Sequence, residues 1–269
     1  MIEILTLPFF QRALLVGLML GSMMAVFGVL VLLRRMSFFA DAIGHSALAG
    51  IAIGLLVGID PFVGGLVFAV AVALGIAGVR RISTLPLDTL LAVFFSASVA
   101  LGVVLITLSP GYQADLISFL FGNILTVTNA DVVLSFGMMI ITGGVLLWVG
   151  KGLVAIALDA SLAKAEGVPV GRYELLLLIL LAVTIALSIK VVGIVLVTAL
   201  LIIPAAAAHN ISRSLAGMFG WSVVVSIVSV VVGLLASAVL DTPSGPTIVL
   251  TGSIIFAISL VTRRLSGTA

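Results

Sequence analysis

Apolar residues fill this chain in long, almost unbroken runs, at roughly 13–33, 38–58, 61–79, 88–108, 131–150, 173–189, 191–208, 215–240 and 246–262. Charged side chains are largely confined to the gaps between them. A helix rises about 1.5 Å per residue and a hydrocarbon core is about 30 Å thick, so each crossing needs about 20 apolar residues. The pattern therefore predicts an all-α, polytopic membrane protein with nine spans. Only Lys190 separates 173–189 from 191–208, with Gly193 close behind. One of these two runs can be broken or short, which would leave eight. The run 116–125 is too short to cross and is expected as a surface or re-entrant helix. No stretch reads as a soluble domain, so 1–269 is expected to be a single transmembrane domain.

Composition agrees with the pattern and narrows the class. Of 269 residues, 63% are hydrophobic and 8% are charged. A soluble domain carries about 45–50% apolar and about 25% charged residues. So few charges cannot cover a globular surface, which excludes a soluble enzyme, a nucleic-acid-binding module and a peripheral protein. The formal net charge is only +2. There are no cysteines, which removes disulfides, thiolate metal sites and thiol nucleophiles. Glu3 and Arg12 precede the first run and Arg34-Arg35 follow it, so that run is expected to be a retained span rather than a signal peptide.

The few basic residues set an orientation. With the end of the first span inside, Arg34, Arg35, Arg80, Arg81, Lys151, Lys164, Arg172, Arg213, Arg263 and Arg264 are cytoplasmic. Arg12 and Lys190 alone are left outside. Cytoplasmic loops carry the excess of Lys and Arg, so the N-terminus is expected outside and the C-terminus inside.

Chemistry concentrates in the second span, FFADAIGHSALAGIAIG. Asp41 and His45 are four residues apart and share one helical face. An ionisable group in hydrocarbon costs about 2.5–3.5 kcal/mol on insertion scales, so such groups face a protein interior or a wet cavity. A carboxylate and an imidazole at this spacing can bind one borderline divalent cation. They can equally form a structural hydrogen bond near the helix start, and spacing alone leaves both readings open. Two ligands are too few for a closed site. A symmetric dimer would double them, or water and nearby backbone would complete the shell. Weak coordination suits a site through which an ion passes.

Other polar residues invite simpler readings. His209 follows IIPAAAA as a loop or interfacial histidine, and Pro204 is expected to kink its span. Asp88 opens a span, where an acid complements the helix dipole. Asp115, Asp131 and Asp241 read as external loop acids. Gly50, Gly54 and Gly58 recur at four-residue spacing, as small residues do where helices pack closely. No P-loop, H-E-x-x-H or serine-nucleophile motif is present, and no set of intramembrane acids paired with Lys or Arg suggests a proton relay. The stretch 151–172, KGLVAIALDASLAKAEGVPVGR, is long for this chain. Asp159 and Ser161 can start a helix there, and Gly167 with Pro169 can end it. It is a plausible docking element for a soluble partner.

LRRMSFFADAIGHSALAGIAIG (33–54) resembles the signature of the ABC-3 metal permeases, the membrane subunits of zinc, manganese and iron importers. The resemblance continues in LDTLLAVFFS (87–96), DLISFLFGNILTVT (115–128), DASLAKAEGVPVGR (159–172), VVGIVLVTALLIIPAAAA (191–208) and DTPSGPTIVL (241–250). Six blocks in order cover most of the chain, and they look closest to high-affinity zinc permeases. The resemblance implies a fold like that of type II ABC importers, in a prokaryotic inner (plasma) membrane. It implies a homodimer, two cytoplasmic ATPase subunits and an external solute-binding protein that delivers the metal. It assigns Asp41 and His45 to the cation path. It assigns 159–172 to ATPase docking, with Asp159, Ala163, Glu166 and Gly167 as the matching positions. His209 departs from the family pattern and is not assigned to the path. No catalytic residue and no permanently bound cofactor are expected, and the transported divalent metal is expected to be zinc, with manganese or iron as alternatives. Partners beyond these are membrane lipid, and no nucleic acid. Competing readings are a permease for metal chelates of the vitamin B12 or siderophore type, an ion-coupled secondary transporter, and a non-transporting scaffold or sensor.

Overall fold

A computed structural model gives the chain's architecture and describes residues 6–107, 122 and 124–265. Among the described residues ten α-helices follow one another: α1 Pro8–Leu33, α2 Phe39–Val57, α3 Pro61–Ile82, α4 Leu87–Thr107, α5 Asn129–Leu158, α6 Ala160–Ala165, α7 Val170–Val192, α8 Ile194–Ile211, α9 Leu215–Leu240 and α10 Ser244–Leu265. A single 3₁₀ turn, Ile124–Thr126, precedes α5. Among the described residues nine helices, all but α6, are long and apolar enough to cross a membrane. The eight-span alternative is thus not the one adopted. Helices α7 and α8 stay separate with Gly193 alone between them, at φ 82°, a conformation that favours glycine. Asp115 and most of the short run 116–125 lie outside the described residues.

The helix ends follow ordinary capping chemistry. Asp60 accepts hydrogen bonds from the N–H groups of Phe62 and Val63 (3.0 Å each), with Pro61 at the first helical position of α3. Thr128 and Asp131 cap α5 reciprocally: Asp131 Oδ2 accepts from the Thr128 N–H (3.0 Å), and the Asp131 N–H donates to Thr128 Oγ1 (3.3 Å). Asp131 is therefore a cap as well as a loop acid. Asp241 ends α9 in the left-handed region.

The chain forms two compact units, one of Met1–Leu32, Leu120–Ile141 and Val191–Ala269, the other of Leu33–Phe119 and Thr142–Lys190. In the first, α8, α9 and α10 pack on one another. Small residues line the α1 face: an added Cβ at Gly21 would sit 2.8 Å from Ser226 Oγ, and one at Gly28 would sit 1.8 Å from the Leu201 carbonyl oxygen. Ser222 on α9 donates to the Ala25 carbonyl (2.9 Å). Association without a hydrophobic drive relies on such close backbone contact and on hydrogen bonds.

In the second unit α2 packs against both α3 and α4. Here Gly50 and Gly64 face each other. A Cβ at Gly50 would lie 2.5 Å from the Gly64 carbonyl oxygen, and one at Gly64 would lie 2.6 Å from that of Gly50. Gly54 continues the seam against Pro61 and Gly64. Gly58 does not. It ends α2 at φ 77° with nothing within 4 Å of an added Cβ, so the third glycine of the series is a helix stop rather than a packing residue.

Candidate functional site

Asp41 lies in the first turn of α2 and His45 one turn later. From Phe39 to Ala52 every residue is buried except these two, which stay partly accessible. Their accessible edge is the one polar stripe on that stretch of an otherwise apolar span. His45 Nδ1 stands 2.9 Å from the Asp41 backbone carbonyl oxygen. A carbonyl only accepts, so Nδ1 carries a proton, and in the neutral ring Nε2 keeps its lone pair. The hydrogen bond joins ring to backbone and leaves the Asp41 carboxylate outside it. A structural Asp–His hydrogen bond near the helix start is thus present, made through the Asp41 carbonyl rather than its carboxylate. The backbone fixes the tautomer that leaves Nε2 able to ligate a cation.

Helix α4 fixes this stripe in rotation. Phe95 meets the His45 ring edge-on, with centroids 4.8 Å apart and planes at 72°, and it also meets Phe38. Three residues further along α4, Ser98 Oγ lies 2.8 Å from Ser46 Oγ, and both serines are buried. Ser46 in turn donates to the Ala42 carbonyl (2.5 Å). The ring and the serine pair brace α2 beside its two ionisable residues. Among the described residues no three His, Cys, Asp or Glu side chains come together as a metal cluster.

The segment 151–172 folds as a helical hairpin. Asp159 caps α6, accepting from the N–H groups of Ser161 (2.8 Å) and Leu162 (3.0 Å). Ala163 is buried, Glu166 closes the helix, and Gly167 turns the chain at φ 84°. Leu162 stays 59% exposed at the tip of this short helix, an apolar side chain offered outward. Below it Gly152 of α5 receives the Tyr173 ring of α7 so closely that a Cβ would stand 2.3 Å from the ring.

Sequence reasoning missed one cluster near the hairpin. Glu174, in the second turn of α7, pairs with Arg34, and with Arg80 at 3.3 Å. The Arg34 side chain is only 6% exposed. This is an acid paired with two arginines at the ends of spans, which the sequence pattern did not single out. The partners are 140 residues apart in sequence, and only the fold brings them together. His209 is exposed at the end of α8, in the first unit. It lines an open cleft of about 380 Å³ with Asn210, Ser212, Arg213 and Arg263. Pro204 is buried inside α8.

An all-helical chain of membrane-length spans, a polar stripe inside one span and a capped helical hairpin between two others define a polytopic membrane permease. The profile of the ABC 3 transport family matches residues 6–263. Over 253 residues the chain is 34% identical to the high-affinity zinc uptake system membrane protein ZnuB of Haemophilus influenzae, covering 94% of this chain and 97% of that one. It is 33% identical to the manganese transport system membrane protein MntC of Halalkalibacterium halodurans, covering 96% and 88%. Its structure superposes on that of PsaBC from Streptococcus pneumoniae with a TM-score of 0.83 at 34% identity, covering 96% of this chain and 93% of that chain. An inward-facing metal-chelate type ABC transporter shares the fold with a TM-score of 0.76 at 18% identity. The chain belongs to the ABC 3 transport family. It is a membrane permease subunit, and ATP hydrolysis belongs to a separate subunit.

Proposed function

We propose that this chain is the permease of an ATP-driven importer of divalent transition metal ions, with zinc as the first candidate. The observation that carries the reading is the Asp41–His45 stripe. An accessible carboxylate and imidazole within a span are too costly to leave against lipid, so they face a wet path or a second protein surface. A carboxylate oxygen and Nε2 of a tautomer-fixed imidazole suit a borderline cation. Two donors per chain bind weakly, and a passage site must release its ion. A homodimer would bring two such pairs to one axis and complete a four-donor shell. The similarity to both a zinc and a manganese permease supports a bare-ion cargo and leaves zinc resting on the closer resemblance of the sequence blocks.

The hairpin carries the second part of the proposal. Asp159, Ala163, Glu166 and Gly167 build a short capped helix with an exposed Leu162, a shape suited to a groove on a cytoplasmic ATPase. The excess of Lys and Arg on one side supports a cytoplasmic position for this hairpin and its basic neighbours, with the first span ending inside a prokaryotic inner membrane. An external solute-binding protein would deliver the metal to the opposite face. Free energy then comes from ATP, and the permease needs no ion-coupling acids.

Metal uptake by cells lacking their own importer tests the site. Asp41→Asn and His45→Ala should reach wild-type abundance in the membrane and lose Zn²⁺ uptake. Wild-type uptake by both variants would remove them from the path. A chelate permease would tolerate both changes, because its path is wider and binds no bare ion.

A further inference from the structure

One buried polar cluster has no role in this account. Glu174 sits between Arg34 and Arg80, with side-chain exposures of 20%, 6% and 34% respectively. Arg34 Nη1 is also buried, with no hydrogen-bond partner. Two guanidinium groups on one carboxylate are a poor way to gain stability. Taking the charges out of water costs several kcal/mol per ion, and apolar residues of similar volume often serve as well or better. What an ion pair offers instead is directional registry between elements.

The three residues come from elements that matter to transport. Glu174 lies eight residues beyond Glu166, on the continuous segment that leaves the α6 hairpin. The close Gly152–Tyr173 contact packs the C-terminal part of α5 against the start of α7, next to Glu174. Arg34 begins the short link from α1 to α2. In that link Arg35 takes φ 54°, a conformation rare for a side-chain-bearing residue, and Met36 is buried with its carbonyl held by the Phe39 N–H (2.9 Å). The link is therefore short and stiff. Seven residues after Arg34 comes Asp41. Arg80 ties in the last turn of α3, whose glycine seam grips α2.

We propose that Glu174 is a positioning residue that couples the ATPase-docking hairpin to the metal-bearing helix α2 through Arg34, with Arg80 as the second arm of the clasp. This rests on the import reading above. When the hairpin shifts, Glu174 draws Arg34 with it, and the stiff link passes the displacement to Asp41 and His45.

The test uses the assembled importer, with its ATPase and binding protein, in proteoliposomes. Zn²⁺ transported per ATP hydrolysed is measured alongside ATPase co-purification. A single Glu174 variant would strand the buried Arg34 cation and risk misfolding, so the paired variant Arg34→Met with Glu174→Met is used. The expected result is retained ATPase binding and hydrolysis with a Zn²⁺-to-ATP ratio lowered about tenfold, within the range of coupled sites. Glu174→Asp keeps the charge and should retain most of the ratio. An unchanged ratio in the paired variant overturns the proposal, as does loss of ATPase binding, which would make the cluster part of the docking surface. Failure of Glu174→Asp to exceed the paired variant also overturns it. Absence of ATP-dependent uptake in the wild type would instead refute the import reading itself, and the coupling proposal with it.

Discussion

Replacing Gly50 with alanine adds one methyl group at the tightest point of the seam that holds α2, the helix of Asp41 and His45. That methyl would stand 2.5 Å from the Gly64 carbonyl oxygen, 2.6 Å from Phe68 Cβ and 2.9 Å from Gly65 Cα. Ordinary contact begins near 3.4 Å, so α2 and α3 must part by about 0.9 Å at this point. Two of the three obstacles are backbone and cannot rotate aside. Overpacking of this kind costs about 1–3 kcal/mol. Alanine returns about 0.5–1 kcal/mol through its better helix propensity. The net loss is about 0–2.5 kcal/mol, centred near 1, and at about 2–4 °C per kcal/mol for a chain of this size it lowers Tm by a few degrees. The assay is thermal challenge of the detergent-purified permease followed by size-exclusion chromatography. Gly78→Ala is the matched control on the partner helix, since an added Cβ there meets nothing within 4 Å. It should leave Tm unchanged or raise it slightly. If Gly50→Ala melts at or above Gly78→Ala, the close-packed seam is not what holds α2.

Further expectations follow from single residues. Gly167→Val meets no steric obstacle, so its cost is backbone alone, about 1–2 kcal/mol for a side chain at φ 84°. It should lower Tm by a few degrees, misdirect the exit from α6 and reduce ATP-driven uptake, and full uptake would count against the docking assignment. Asp159→Ala removes the acceptor of two hydrogen bonds at the start of a six-residue helix. A lost cap costs about 0.5–2 kcal/mol, so co-purification of the ATPase should weaken, and undiminished binding would contradict the role of the capped hairpin. Lys164→Cys should be labelled by an impermeant maleimide only from the cytoplasm and Asp241→Cys only from outside. The reverse pattern would invert the topology.

The spans were legible because a membrane leaves little choice. Each apolar run had to be about 20 residues, and the helices observed begin and end within a few residues of most runs. Helix α5 overshoots its predicted run by eight residues, because Lys151 is tolerated at the end of a span and the helix continues to the Asp159 cap. The Asp41–His45 face was legible from its four-residue spacing, but not the acceptor of its hydrogen bond. Whether an imidazole bonds a neighbouring carboxylate or its carbonyl depends on rotamers that Phe95 sets from another helix. Gly58 looked like Gly50 and Gly54 in sequence, and only the positive φ separates a helix stop from a packing residue. The clasp was invisible for a different reason. Arg34 and Arg80 looked like ordinary cytoplasmic charges, and nothing local marks Glu174 as the acid that joins them.

The central claim is that Asp41 and His45 bind the ion that ATP drives across the membrane. Its most direct test is Zn²⁺ and Mn²⁺ uptake by proteoliposomes holding the permease, its ATPase and its binding protein, with and without ATP, in the wild type and in His45→Ala. The account predicts ATP-dependent uptake, Zn²⁺ exceeding Mn²⁺, abolished by His45→Ala while the variant still assembles with its ATPase. Uptake that persists without ATP, or that proceeds equally without the His45 imidazole, would contradict it.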